Sequence, residues 1–270
     1  MVKCWICEKK EANSDEHKFK ASDIKRNLGK KFKAKFISND IKPLKTYKDK
    51  SIKFNNILCI ECNNNLTRPH DNAYDKFARY IEKNYETLFN QNYIDFEQIY
   101  GENWQSEKLN LYKYYAKHSG CRLKSIHNKI DLSDVSKFIT EGKIPETFTL
   151  QFEIKEYIRK IIKYMEIMNS HKYTHMFISP LIEFIYNENK IYGGWISYEW
   201  ISINWVLSNQ INQNKKIKIE KQIEPLIITE ITNIKTPKNA TADEILISAE
   251  YGKHKVENLK EHIKTIINRH

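Results

Sequence analysis

The sequence is poor in the residues that break or cross-link a chain. Only 7 Gly and 6 Pro occur among 270 residues, which excludes collagen-like repeats and low-complexity linkers. No apolar run approaches the ~20 residues needed to cross a bilayer. The opening residues MVKCWICEKK lack the apolar stretch of a secretory leader. We therefore expect a cytoplasmic chain with no membrane partner, in a compartment where thiols stay reduced. Five cysteines in that setting point to metal or packing rather than to a disulfide framework. Acidic residues are scarce in one window. Residues 18–53 hold 13 Lys and Arg against Asp23, Asp40 and Asp49, so this window carries +10 of the formal net charge of +11.

What the chain does have suits a globular fold. Apolar residues make up 40%, charged residues 29% and aromatics 12%. That is enough surface to bury, which excludes wholesale disorder. A basic chain implies an acidic partner, and nucleic acid is the commonest one. Within the basic window and beside it, Lys18, Lys20, Lys25, Arg26 and Arg68 are candidate phosphate contacts. Phe19, Phe32, Phe36 and Tyr47 are interleaved with the lysines and read as anchors for the segment.

The periodicity predicts a mixed order of elements. Residues 1–15 read as turns, and residues 16–53 as a weakly patterned segment broken at Gly29 and Pro43. Residues 54–60 read as a short strand or turn. Tyr74, Phe77, Ala78, Ile81, Tyr85, Leu88 and Phe89 fall on one helical face, opened by Pro69 and capped by Asp71. A helix is expected near 107–118, and a second one from Ile154 to Met168. Residues 174–207 are strand-like, with a hairpin turn at 187–190 and Trp195, Trp200 and Trp205 in the core. A strand at 225–232 and a helix through Val256, Leu259, Ile263 and Ile266 complete the reading. The fold class is α+β. A zinc-stabilised module over residues 1–100 is followed by an α+β region over 101–270, which we expect to serve substrate recognition, partner binding or a homodimer contact.

Two C-x-x-C pairs, Cys4/Cys7 and Cys59/Cys62, stand 51 residues apart. Two residues between cysteines let a tight turn aim both sulfurs at one ion, and two such turns complete a tetrahedral Zn²⁺ shell. Such a site is structural, because four thiolates leave no open position. Cys121 is left over and reads as a small buried hydrophobe.

Beside the two pairs lie Asp15-Glu16-His17 and, directly after Cys62, Asn63. An acid next to a histidine, facing an asparagine, suits metal-assisted phosphodiester cleavage. Glu16 and Asn63 offer hard oxygen ligands to Mg²⁺ or Mn²⁺. His17 stays off the metal and takes a proton from water.

With C-W-I-C at 4–7, S-D-E-H-K-F-K at 14–20 and C-I-E-C-N-N at 59–64, the first ~90 residues resemble the HNH endonucleases of the zinc-containing ββα-metal type. The resemblance implies a β-hairpin and a following helix that grip a divalent ion. It implies Glu16 as a catalytic-metal ligand, His17 as general base and Asn63 as second ligand. A middle asparagine often orients the base, and both Asn55 and Asn56 stand where it would. His70, near the helix start, is a lesser candidate for a further ligand. Where many members continue past the histidine with two hydrophobic residues and Pro, this chain reads Lys18-Phe19-Lys20. The implied function is a metal-dependent endonuclease on double-stranded DNA, as in bacterial defence or mobile elements. The alternatives are a non-catalytic zinc module that binds nucleic acid and an RNA-directed nuclease.

Overall fold

A computed structural model describes residues 2–37, 41–159, 162, 176–186, 188–208 and 217–229. The expected C-terminal helix lies outside these residues, as does most of the helix expected from Ile154 to Met168. Side chains of residues 33–42 are likewise outside the description, Phe36 among them.

The N-terminal part begins with the first C-x-x-C turn and strand β1 (Ser14–His17). It continues through helix α1 (Ala21–Leu28) and the hairpin β2 (Lys31–Ile37) and β3 (Ile41–Thr46) to strand β4 (Lys53–Leu58). Strand β1 pairs antiparallel with β4, Glu16 opposite Phe54 and His17 opposite Lys53. The described part of the basic window is thus a helix and a hairpin inserted between two paired strands. Gly29, at φ +84°, ends α1 in a conformation that L side chains rarely adopt. Pro43 sits in β3 of a two-stranded ribbon, where its missing N–H breaks no inner ladder.

The second C-x-x-C runs into a π-helical turn, Glu61–Leu66, which includes Cys62, and then comes helix α2 (Arg68–Gln91). Pro69 lies in the first turn, where its missing N–H has no partner to lose. Asp71 does not cap the helix as expected. Its carboxylate is drawn to two lysines instead, as described below, and Thr67 takes the cap position, its hydroxyl donating to the Asn63 carbonyl rather than capping the helix. The face formed by Ala73, Tyr74, Phe77, Ala78, Ile81 and Leu88 is buried, as the period of 3.6 predicts.

Strand β5 (Tyr93–Asp95) and helix α3 (Phe96–Tyr100) lead to α4 (Trp104–Ile126) and α5 (Ser133–Glu141). The helix expected at 107–118 is this longer α4. It is buried on almost every side from Leu111 to Leu123, so its C-terminal half carries no clear polar stripe to announce it. A methyl group added at Gly120 would come within 2.4 Å of the Trp5 indole. Glycine there lets the first cysteine turn press against α4, and Trp5 Nε1 donates to Cys121 Sγ at 3.4 Å. Cys121 is fully buried, as expected.

The remaining strands are β6 (Phe148–Lys155), β7 (Met176–Ile178), β8 (Ile182–Tyr186), β9 (Asn189–Tyr198), β10 (Ile201–Leu207), β11 (Ile223–Pro225) and β12 (Ile227–Thr229). Six of them form one sheet in the order β12-β6-β10-β9-β7, with β8 also on β9. The β8–β9 turn falls where expected, with Tyr186 opposite Asn189. Ile154 and Lys155 belong to strand β6 and not to a helix. Phe148, Leu150, Phe152 and Ile154 alternate toward one face, so period two extends further than the helical reading allowed. Phe152 meets Phe77, Phe96 and Tyr112, each with ring centroids 5.8 Å away. Trp195, Trp200 and Trp205 are buried, as expected. One buried core runs from Cys4 to Leu226, across the division expected near residue 100.

Candidate metal and catalytic centre

The four expected cysteines converge. The Sγ atoms of Cys4, Cys7, Cys59 and Cys62 all lie within 4.8 Å of one another. A Zn–S bond of ~2.3 Å in a tetrahedron requires sulfurs ~3.8 Å apart, and Cys7 and Cys59 are 3.8 Å apart. Donor set and spacing therefore fit a metal ion such as zinc. Each turn is locally braced. Cys4 N–H donates to the Lys10 carbonyl, and the Cys62 amide is aimed at Cys59 Sγ at 3.4 Å. Burial pushes the Cys4 and Cys62 thiols up. At Cys7 burial acts the same way but is outweighed by the amides of Lys10 and Lys9 and by neighbouring thiols, which bring it down to about 7. Metal binding by this set must therefore release protons. All five cysteines are free thiols.

The cysteine cluster ties the β1–β4 pair to the π-helical turn. Asn63 is thereby set against β1, where its Nδ2 donates to Ser14 Oγ and to the Asp15 carbonyl, both at 3.0 Å. A turn wound by one extra residue re-aims a side chain in this way. Glu16 is on β1, with 8% of its surface exposed. The partner it meets is not one expected from the sequence. Lys117 of α4, fully buried, places Nζ 3.3 Å from Glu16 Oε1, 3.2 Å from Asp71 Oδ1 and 3.3 Å from Thr67 Oγ1. Lys20 Nζ lies 2.9 Å from the same Asp71 oxygen. Two carboxylates and two ammonium groups thus form one nearly buried cluster. Burial pushes the Glu16 carboxyl up, against the pull of Lys117. At Asp71 burial is outweighed by Lys117 and Lys20, which hold it below the usual range. Burial opposes the charge on Lys117, yet Glu16 and Asp71 raise its pKa above the ordinary value.

His17 follows Glu16 on the strand, so the two side chains leave opposite faces. Its Nε2 contacts the Tyr47 carbonyl at 3.1 Å. Burial, the largest influence, lowers its pKa below the ordinary 6.5. Asn55 and Asn56 are exposed, and Asn56 gives its backbone N–H to Asp15 Oδ1. The described bond on His17 therefore comes from Tyr47, which no motif signals.

Of the basic candidates, Lys25 and Arg68 are exposed. Lys25 Nζ sits 4.1 Å from the centroid of the Tyr47 ring. Lys18 Nζ donates to the Ser51 carbonyl at 2.8 Å, and Lys20 pairs with Asp71. Arg26 binds Asp23, Glu82 and the Tyr198 hydroxyl, so it ties α1 to α2 and to the sheet. Phe19, Phe32 and Tyr47 pack against the core as anchors.

His70 and His118 are buried, and Nδ1 of each has no hydrogen-bond partner. Burial, helped by nearby cations, pushes both down to about 3. Folded, they stay neutral, whereas in the unfolded chain they take protons near pH 6.5. The stability they allow is complete above 6.5 and is lost as the pH falls toward 3. At pH 5 each should weaken stability by about 1.4 kcal/mol per pH unit. Urea midpoints at pH 7, 6 and 5 should fall accordingly, and less steeply for His118→Gln. A midpoint independent of pH would contradict the assignment.

Among the described residues no helix is long and apolar enough to cross a membrane. No family model, curated protein or solved structure matches the chain.

Proposed function

We propose that the chain is a metal-dependent endonuclease of the HNH type that hydrolyses phosphodiester bonds in double-stranded DNA, with its cysteine cluster holding a structural zinc. The observation that carries this reading is the bond on His17. A carbonyl oxygen only accepts, so the contact with Tyr47 assigns the proton to Nε2. In the neutral ring Nδ1 is then the bare acceptor, as a general base requires. The lowered pKa keeps that ring neutral at physiological pH. Glu16 and Asn63 would hold Mg²⁺ or Mn²⁺, which supplies charge stabilisation at the phosphate and the leaving oxygen. His17 takes the proton of the attacking water, Tyr47 holds the ring, and the cysteine cluster keeps strand and helix in register.

Lys25 and Arg68 are the phosphate contacts in this reading. Lys25→Glu and Arg68→Glu should each flatten the plot of log affinity against log salt, by about 0.9 for each phosphate no longer neutralised. Lys20→Glu and Arg26→Glu should instead lower stability, because both cations are ion-paired within the fold. Fluorescence anisotropy across a salt series checks this. An unchanged slope in the first pair moves the DNA-binding surface elsewhere.

One observation favours a second reading, a zinc-stabilised module that binds nucleic acid without cutting it: the Glu16 carboxylate is already engaged by Lys117. Supercoiled plasmid and RNA, each incubated with purified chain in Mg²⁺, Mn²⁺ or EDTA, separate the possibilities. Metal-dependent cutting of plasmid supports the DNA endonuclease, and cutting of RNA alone makes it a ribonuclease. Salt-sensitive binding with no cutting leaves the binding module.

A further inference from the structure

We propose that the β2–β3 ribbon enters the major groove of duplex DNA and so seats the phosphodiester backbone beside His17. This rests on the nuclease reading above and adds to it the element that grips the duplex and the groove it occupies.

Shape and charge both point to a groove. Among the described residues β2 and β3 pair only with each other, and neither packs extensively on another element. Phe32 and Leu44 anchor the ribbon to the common core. Paired strands lie ~4.8 Å apart. Two of them with their side chains match a B-form major groove ~12 Å wide, whereas the minor groove, at ~6 Å, admits no ribbon. Duplex RNA offers no such entry, because its major groove is deep and narrow. Residues 30–48 hold 7 lysines against one acid, Asp40. A lone two-stranded ribbon has little stability of its own, and like charges along it repel. Phosphates on both walls of a groove offset that charge. Lys30, Lys31, Lys45 and Lys48 are exposed, unlike Lys20 and Arg26, which are ion-paired within the fold. The ribbon also leads to the proposed base. Tyr47 directly follows β3, and its carbonyl holds His17 Nε2 at 3.1 Å. The centroid of its ring is 4.1 Å from Lys25 Nζ and 5.9 Å from Lys48 Nζ. A duplex on the ribbon therefore meets these two ammonium groups and lies next to His17.

The test is fluorescence anisotropy of the zinc-loaded full chain, without added Mg²⁺ or Mn²⁺, on three duplexes of one sequence. The first is unmodified DNA and the second is RNA. The third is DNA with a glucosylated 5-hydroxymethyl group on every cytosine, which fills the major groove and leaves the phosphate charge unchanged. Wild type should bind the glucosylated duplex at least ~10-fold more weakly than plain DNA, the loss of one good set of groove contacts. The double variant Lys31→Glu/Lys45→Glu changes two exposed residues, so circular dichroism should match wild type. It should bind plain DNA more weakly and lose the discrimination against the glucosylated duplex. Its plot of log affinity against log salt should flatten by about 1.8 if two phosphates are no longer neutralised. Equal affinity of wild type for the two DNA duplexes, or full discrimination in the double variant, overturns the inference and leaves the nuclease reading standing. Tighter binding to duplex RNA than to plain DNA also overturns it, in favour of an RNA substrate. No binding of wild type to any DNA duplex overturns both the inference and the DNA nuclease reading.

Discussion

Replacing Cys59 with serine should abolish metal binding by the cysteine cluster and unfold the β1–β4 pair together with both cysteine turns. The expected effect is the largest of any single substitution outside the helical core. Structural zinc in small modules contributes about 10–16 kcal/mol of apparent folding free energy near pH 7. Here part of that loss is offset, because Trp5, Phe54 and Leu58 are buried against the common core. Elemental analysis should give one zinc per wild-type chain and none in Cys59→Ser, with a matching fall in thermal midpoint. A strong chelator should do the same to wild type. Cys121→Ser should keep its zinc, since that thiol sits beside Trp5 and outside the cluster. Folded wild-type protein without metal would refute the zinc assignment.

His17→Ala should lower plasmid cleavage by about 10²–10⁴-fold, the usual cost of a lost general base. Zinc content and DNA affinity should not change, because His17 belongs neither to the cysteine cluster nor to the exposed cations. The pH profile gives a second readout. Since the folded pKa lies below 6.5, the wild-type rate should hold as the pH falls through 6.5 and drop only below it. Excess Mn²⁺ should not rescue His17→Ala, whereas it should partly rescue Asn63→Ala, as the proposed role of Asn63 as a metal ligand requires. Circular dichroism must match wild type for both variants. Wild-type cleavage rates in His17→Ala would move the chemistry elsewhere and make the binding module the leading reading.

The metal cluster could be read from the sequence because its determinants are local. A C-x-x-C turn aims two sulfurs wherever it occurs, and four cysteines in matched pairs leave few other pairings. The buried face of α2 was legible for the same reason, through strict helical spacing. The strand β6 was not read from the sequence, because Ile154 fits both a period of two and the helical run that follows it. The C-terminal half of helix α4 was missed because burial on nearly every side there erases the polar stripe that marks a helix in a sequence.

The candidate site divides along the same line. Sequence by itself determined which chemical groups are present and which lie next to one another: Glu16 beside His17, Asn63 beside Cys62, and the lysines of the basic window. The partners of those groups were decided by tertiary structure alone. Tyr47 reaches His17 through its backbone carbonyl, which every residue has and no motif can announce. Lys117 lies 101 residues from Glu16 in the chain, and in a sequence it is one lysine among many. Its meaning comes from where α4 packs. A fully buried ammonium must find oxygen partners, and the nearest carboxylates are Glu16 and Asp71. Lys20 and Arg26 show the converse. Their charge was plain in the sequence, but packing set each beside an acid, whereas Lys25 and Arg68 stay exposed.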